Sequence, residues 1–427
     1  MSGSPFDYRS GRLWGESVPL DRIAREVGTP CYVYCRAALT AAYQEFDGAF
    51  AGRDHLICYA VKANSNLAIL NLFARLGSGF DIVSGGELQR VLKAGGDPQK
   101  IVFSGVGKRP DEMRAALEVG ILCFNVESRS ELETLDRVAR DMNKTAPVSL
   151  RVNPDVDAKT HPYISTGLKE NKFGIPFEEA ESLYTSSRQF ANLRVTGLDC
   201  HIGSQLTELD PFAEACEKML GLLDRLEAQG LQIEHLDLGG GLGIRYSREN
   251  PPAARNYVHA LCGQVGLRKQ RILIEPGRAL VGNAGLLLTR VEYLKHGSDR
   301  NFAIVDAAMN DLMRPALYGA YHEILPVISG NASNAKTYQK TYQVVGPVCE
   351  TGDFLGHDRK LALSEGDLLA VMSAGAYGMS MSSNYNTRPR PAEVMIDGDQ
   401  FHLIREREAF EQLTAGELIP PWRTQGL

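Results

Sequence analysis

Short apolar runs of strand length recur along residues 56–275 and alternate with longer segments of helical periodicity. The first run, Leu56 to Val61, is bounded by Gly52, Arg53 and Asp54 ahead and by Asn64, Ser65 and Asn66 behind, which predicts a strand buried on both faces. Seven more follow: Phe80 to Val83, Ile101 to Ser104, Ile121 to Val126, Val148 to Val152, Val195 to His201, His235 to Leu238, and Ile272 to Glu275. Helical spacing is predicted for Arg36 to Ala51, Gly86 to Ala94, Pro110 to Val119, Ser130 to Met142, Phe177 to Phe190 and Pro211 to Gln229. First-turn signals include Ser84, Pro110, Asp111 and Ser128. Eight strands alternating with helices predict a (β/α)8 barrel rather than a doubly wound sheet.

The rhythm changes after about Leu286. LLLTRVEYL, FAIVDA, TYQVVGPVC, LLAVMS and AEVMID are β-rich stretches without regular helices, and they predict a second, mostly β domain over 286–427. Residues 1–35 are short of helix signals and read as an arm that packs with that domain, leaving 36–285 as the barrel. The interval from Asn153 to Pro176, containing HPYISTG, exceeds an ordinary connection and is expected to be a functional loop at the barrel mouth. GNASNAK, at 330–336, and the tail from Pro420 are expected to be exposed.

Composition narrows the function classes. A length of 427 residues allows a barrel plus a second domain, and a formal charge of −6 argues against a nucleic-acid or membrane surface. The first residues contain no apolar stretch of signal-peptide length, so a cytoplasmic protein acting on small molecules is expected. The eight cysteines are scattered without CxxC or zinc spacing, so free thiols are expected and no metal site is indicated.

In a barrel of this kind the chemistry lies at the carboxyl ends of the strands. Strand one ends at Lys62. A lysine there is commonly a solvated strand end, but one that loses hydration is more easily neutral and more nucleophilic. Strand seven runs into Gly239, Gly240, Gly241 and Gly243, where bare backbone can approach an anion; strand eight ends in Glu275, Pro276, Gly277 and Arg278. Strand six ends in His201, Gly203 and Ser204, a flat ring and a hydroxyl at the same mouth. An amine, an acid and a phosphate cradle together suit pyridoxal phosphate.

These residues resemble the fold-type III pyridoxal-phosphate enzymes, which share an alanine racemase-like fold, and within them the diaminopimelate decarboxylases. The resemblance runs through YAVKANSN, GSGFDIVSGGEL, IVFSGVGK, HPYISTG, KFGI, HIGSQ, LGGGLGI, EPGR, MRPALY, CETGD and GAYGMSMSSNYN. It implies that Lys62 forms a Schiff base with the cofactor, that Glu275 pairs with its ring nitrogen and that His201 stacks on its ring. Asp81, Ser204, Gly240, Gly241, Gly277, Arg278 and Tyr377 complete the implied cofactor site. Arg278, Arg314, Tyr318, Tyr377 and Glu350 are the implied substrate contacts, with arginine chosen as a two-pronged carboxylate reader.

Cys349, the implied proton donor alongside Lys62, is expected with Glu350 and Asp353 to reach the barrel mouth of a partner subunit in a head-to-tail homodimer. The implied reaction is decarboxylation of meso-2,6-diaminopimelate to L-lysine and carbon dioxide, the last step of lysine biosynthesis. The alternatives are a related decarboxylase acting on carboxynorspermidine, ornithine or arginine, or a non-catalytic cofactor-binding paralogue. Two positions depart from the expected pattern: Asp199 where a histidine is common, and Thr351 where serine is more frequent.

Overall fold

The computed structural model describes residues 4–157, 172–329 and 339–422. Eight parallel strands form the barrel: His55–Ala60, Gly79–Ile82, Ile101–Phe103, Cys123–Val126, Ala146–Asn153, Leu193–Cys200, His235–Asp237 and Arg271–Ile274. Closure comes from the pairing of the last with the first, Ile272 opposite His55 and Ile274 opposite Ile57. All eight strands predicted from the apolar runs are present.

Strand periodicity divides the side chains into two sets. Ile57, Tyr59, Phe80, Ile82, Phe103 and Phe124 belong to the large core shared with the surrounding helices. Leu56, Cys58, Val102, Cys123 and Leu273 form a separate small apolar cluster. Alternate positions nearer the carboxyl ends are polar and buried, among them Asp81, Ser104, Asn125, Ser149, Arg151, Asp199, Asp237 and Glu275. An interior that turns polar at that end is costly unless its groups are paired, and this is where the site is found.

The second sheet draws on both ends of the chain. Gly285–His296 pairs with Cys31–Cys35, Asn301–Val305 and Leu368–Val371, while Cys31–Cys35 also pairs in parallel with Ala392–Asp397. The order continues from Asn301–Val305 to Lys340–Val345 and Phe354–Leu361 at one edge, and ends at Gln400–Arg405 at the other.

Two expectations need correction. Leu20–Val27 is a helix, not part of a helix-poor arm, because Leu20, Ile23 and Ala24 recur at helical spacing and are buried. In the second half Arg314–Tyr318 and Phe410–Leu413 are short helices within the β-rich stretch. Helices Leu67–Arg75 and Ala254–Val265 also join those anticipated. HPYISTG and GNASNAK lie outside the described residues. The cysteines are free, and only Cys349 is exposed.

Candidate active site

A cavity of about 350 Å³ opens at the carboxyl ends of the strands, lined by Lys62, His201, Ser204, Gly241, Glu275, Gly277, Arg278, Arg314, Tyr318 and Tyr377, all singled out from the sequence. Lys62 sits on the single 3-10 turn Val61–Ala63 that leaves strand one. Its Nζ donates to Asp81 Oδ2 at 2.5 Å, and Asp81 is fully buried on strand two. Burial pulls the Lys62 amine down, but the negative charges of Asp81 and Glu275 outweigh it and raise the group above its ordinary value. The expectation that lost hydration would leave this lysine more easily neutral is therefore overturned: two carboxyl groups hold its proton on.

Glu275 ends strand eight within a polar relay. Ser149 Oγ donates to Asn125 Oδ1 at 2.6 Å, Asn125 Nδ2 donates to Ser104 Oγ at 3.2 Å, and Ser104 Oγ donates to Glu275 Oε1 at 3.4 Å. Below it, one carboxyl oxygen each from Asp199, Asp237 and Glu275 lie within 4.8 Å of one another. Burial, and then the mutual repulsion of these acids, raises all three, while Lys62 and Arg151 oppose the rise at Glu275. So close a group cannot ionise fully, and its protons belong to the cluster. Asp199, the departure noted in the sequence, is thus a member of this cluster.

His201 ends strand six. Burial, then Arg151 and Lys62, push its imidazole well below the ordinary value, so the ring is neutral. Its Nδ1 accepts from Gly240 N at 3.1 Å, which ties the ring to the glycine loop. That loop is pressed against its neighbours: a Cβ on Gly240 would stand 2.1 Å from Glu275 O, and Gly241, at φ +116°, would put one 2.5 Å from Gly203 O. Leu206 N to Gly241 O (2.9 Å), Gly243 N to Leu206 O (2.8 Å) and the two bonds between Gln205 and Ile244 lace the loops after strands six and seven together.

Arg278 is buried, donating from Nη1 to Tyr246 Oη at 2.7 Å and from Nη2 to Ser204 Oγ at 3.0 Å; its Nε has no partner among the described residues. Tyr377, left-handed at φ +54°, is fixed by its N–H to Ala63 O at 2.8 Å and lays its ring 4.8 Å from the Arg278 Cζ. The set fits pyridoxal phosphate by its chemistry: an amine for the carbonyl, a buried acid for the ring nitrogen, a neutral flat ring, and a bare loop with a hydroxyl and a guanidinium for the phosphate.

Three sequence-selected residues lie elsewhere. Cys349 is exposed, with its N–H bonded to Asn386 Oδ1 at 2.8 Å, and Glu350 accepts from Tyr385 Oη at 2.9 Å; neither lines the cavity. Asp353 does not reach outward. It is buried, accepting from Met309 N at 2.7 Å and Val348 N at 2.8 Å, and so holds the turn that presents Cys349. The sequence did not single out Tyr246, Glu249 or His322. Tyr246 meets Arg278 and His322 meets Met372 across long stretches of chain, whereas Glu249 bonds locally, to the N–H groups of Tyr246 and Ser247; the one local signal was the tyrosine just after LGGGLGI.

The barrel, its second sheet and this cavity define the class of pyridoxal-phosphate-dependent decarboxylases. Residues 36–282 match the family described as pyridoxal-dependent decarboxylase, pyridoxal binding domain. Diaminopimelate decarboxylase of Pseudomonas aeruginosa is 61% identical over 97% of this chain and 99% of its own length, and that of Haemophilus influenzae is 54% identical over 96% and 99%. Among solved structures, diaminopimelate decarboxylase of Helicobacter pylori complexed with L-lysine superimposes with a TM-score of 0.88. It is 43% identical and covers 92% of this chain and 98% of that one. The M. jannaschii enzyme in co-complex with L-lysine gives 0.92 at 38% identity, covering 97% and 98%. The chain belongs to the diaminopimelate decarboxylase family.

Proposed function

We infer that the chain removes one carboxylate from meso-2,6-diaminopimelate to give L-lysine and carbon dioxide, the last step of lysine biosynthesis. The observation that carries this reading is a single cavity lined by the Lys62 amine, the Glu275 acid and two guanidinium groups, Arg278 and Arg314. A substrate with an amino-acid end to react and a second carboxylate to be recognised matches that set of groups.

When bound, pyridoxal phosphate supplies a carbonyl for the substrate amine and a ring that accepts the electron pair left by carbon dioxide. The chain does the rest. Lys62 Nζ, held by Asp81, would receive the cofactor. Glu275, at the end of the Ser149–Asn125–Ser104 relay, would serve its ring nitrogen, and the neutral His201 would pack on its ring. Ser204, the glycine loop, Gly277, Arg278 and Tyr377 would hold the phosphate end, with Arg278 also available to the substrate.

At the far end of the substrate, Arg314 with Tyr318 and Tyr377 reads the distal carboxylate. Glu350 of the partner subunit meets the distal ammonium, and the Sγ of Cys349 of the partner subunit, or Lys62 Nζ, returns a proton to the α-carbon. The exposure of Cys349 and Glu350, outside their own chain's cavity, supports this head-to-tail homodimer. The reading divides the chain into an arm (1–35), a barrel (36–285) and a β domain (286–427), and places the enzyme in the cytoplasm. No helix among the described residues is long and apolar enough to cross a membrane.

The test offers the purified, cofactor-loaded protein meso-diaminopimelate, carboxynorspermidine, ornithine and arginine side by side. Lysine and carbon dioxide from the first are expected. Decarboxylation of another substrate without lysine formation would overturn the assignment.

A further inference from the structure

Arg314 opens the short helix Arg314–Tyr318 and is buried, yet among the described residues it has no carboxylate partner. Its Nη1 lies instead 2.9 Å from His322 Nε2. A guanidinium has only donors, so Nε2 is the acceptor. The other ring nitrogen, Nδ1, lies 2.8 Å from Met372 O, a carbonyl that can only accept, so the single ring proton sits there. Two independent partners thus demand the same neutral tautomer.

The surroundings enforce it. His322 is fully buried, and burial, followed by Arg314, pushes its imidazole down to about 3. Its ring stands edge-on to Tyr246 at 5.2 Å, and the face of Tyr246 lies 4.5 Å from the Arg314 Cζ. The same tyrosine hydroxyl accepts from Arg278. A carboxylate at position 322 would orient Arg314 as well, but it would also cancel the charge; a neutral imidazole fixes the direction and leaves the cation free for a ligand.

We propose that His322 is a positioning residue that aims Arg314 at the distal carboxylate of the substrate, with Tyr246 as the shared backing for Arg314 and Arg278. This rests on the reading of Arg314 given above. meso-Diaminopimelate and its product L-lysine, which keeps the distal carboxylate, both depend on the pair, whereas the diamine cadaverine, which has no carboxylate, does not.

The experiment compares Arg314→Ala, His322→Gln and His322→Asn in the cofactor-loaded enzyme. It reads kcat and KM for meso-diaminopimelate and the inhibition constant of cadaverine, the diamine without either carboxylate. Glutamine can place an acceptor near the position of Nε2; asparagine is too short to do so. His322→Asn is expected to raise KM for the dicarboxylate by about tenfold, the cost of a hydrogen bond to a charged group, with a much smaller change for cadaverine, and His322→Gln to recover most of the loss. Equal shifts for both ligands, no recovery by glutamine, or no shift in His322→Asn would overturn the proposal while leaving a selective effect of Arg314→Ala intact. If Arg314→Ala itself fails to separate the two ligands, the carboxylate reading of Arg314 falls, and the role of His322 with it.

Discussion

Asp81→Asn removes one of the two charges that keep Lys62 protonated, and its effect can be worked from the geometry. The carboxylate is fully buried and 2.5 Å from Nζ, whereas the lysine side chain is 39% exposed to the cavity, so the pair is partly screened. A hydrogen bond to a charged group contributes about 1.5–3 kcal/mol. Discounted for exposure, on the order of 1.5 kcal/mol remains, which corresponds to about one pKa unit. The sign follows from the balance at Lys62: burial lowers the amine and Asp81 leads the groups that raise it, so removing Asp81 lets it fall.

Attachment of pyridoxal phosphate needs the neutral amine, so its rate rises with pH through the amine's titration. Followed by visible absorbance in the cofactor-free protein, and normalised to each protein's own plateau, the midpoint in Asp81→Asn should lie about one pH unit below that of the wild type. An unmoved midpoint, or one that moves upward, would refute the claim that Asp81 holds the lysine charged.

Gly240→Ala should weaken retention of pyridoxal phosphate in dialysis by tenfold or more, because the new methyl would need over 2 Å between it and Glu275 O to grow by about another ångström. Gly48→Ala, in the helix Arg36–Ala49 with nothing within 4 Å of the added carbon, should leave retention unchanged and stabilise the protein by about 0.5–1 kcal/mol in urea. Mixing inactive Lys62→Ala and Cys349→Ala subunits should restore roughly a quarter of wild-type activity after random exchange, if each site draws on two chains; verified mixed dimers without activity would count against shared sites. His322 has a folded-state value pushed down to about 3, so its contribution to stability is present above pH 6.5 and is lost as pH falls from there toward 3. The stability gap between the wild type and His322→Gln should therefore narrow with acidification, by at most about 1.4 kcal/mol per pH unit in urea melts; a constant gap would contradict a neutral buried ring.

The barrel was legible because its strands are buried on the outer face everywhere, so the apolar runs were continuous and the turn residues between them sharp. Residues at strand ends, such as Lys62, His201 and Glu275, were legible for the same reason: position in a run fixes position at the mouth. The helix Leu20–Val27 was missed although Leu20, Ile23 and Ala24 carry its period, since eight residues give a weak pattern between two strand-like stretches. The charge on Lys62 was misjudged because it depends on Asp81, a residue of the neighbouring strand, and not on burial alone. His322 and Tyr246 were invisible as functional residues because one follows Arg314 by eight positions without a motif and the other meets Arg278 across 32. Asp353 was misread as outward-facing; its two backbone hydrogen bonds make it the anchor of its loop.

Everything proposed for this chain is built around Lys62. Reducing the pyridoxal-phosphate-loaded protein with borohydride and mapping the modified peptide by mass spectrometry tests that directly. The account predicts one pyridoxyl group per chain, on Lys62 in YAVKANSN, and none in Lys62→Ala; a group fixed to another lysine would contradict it.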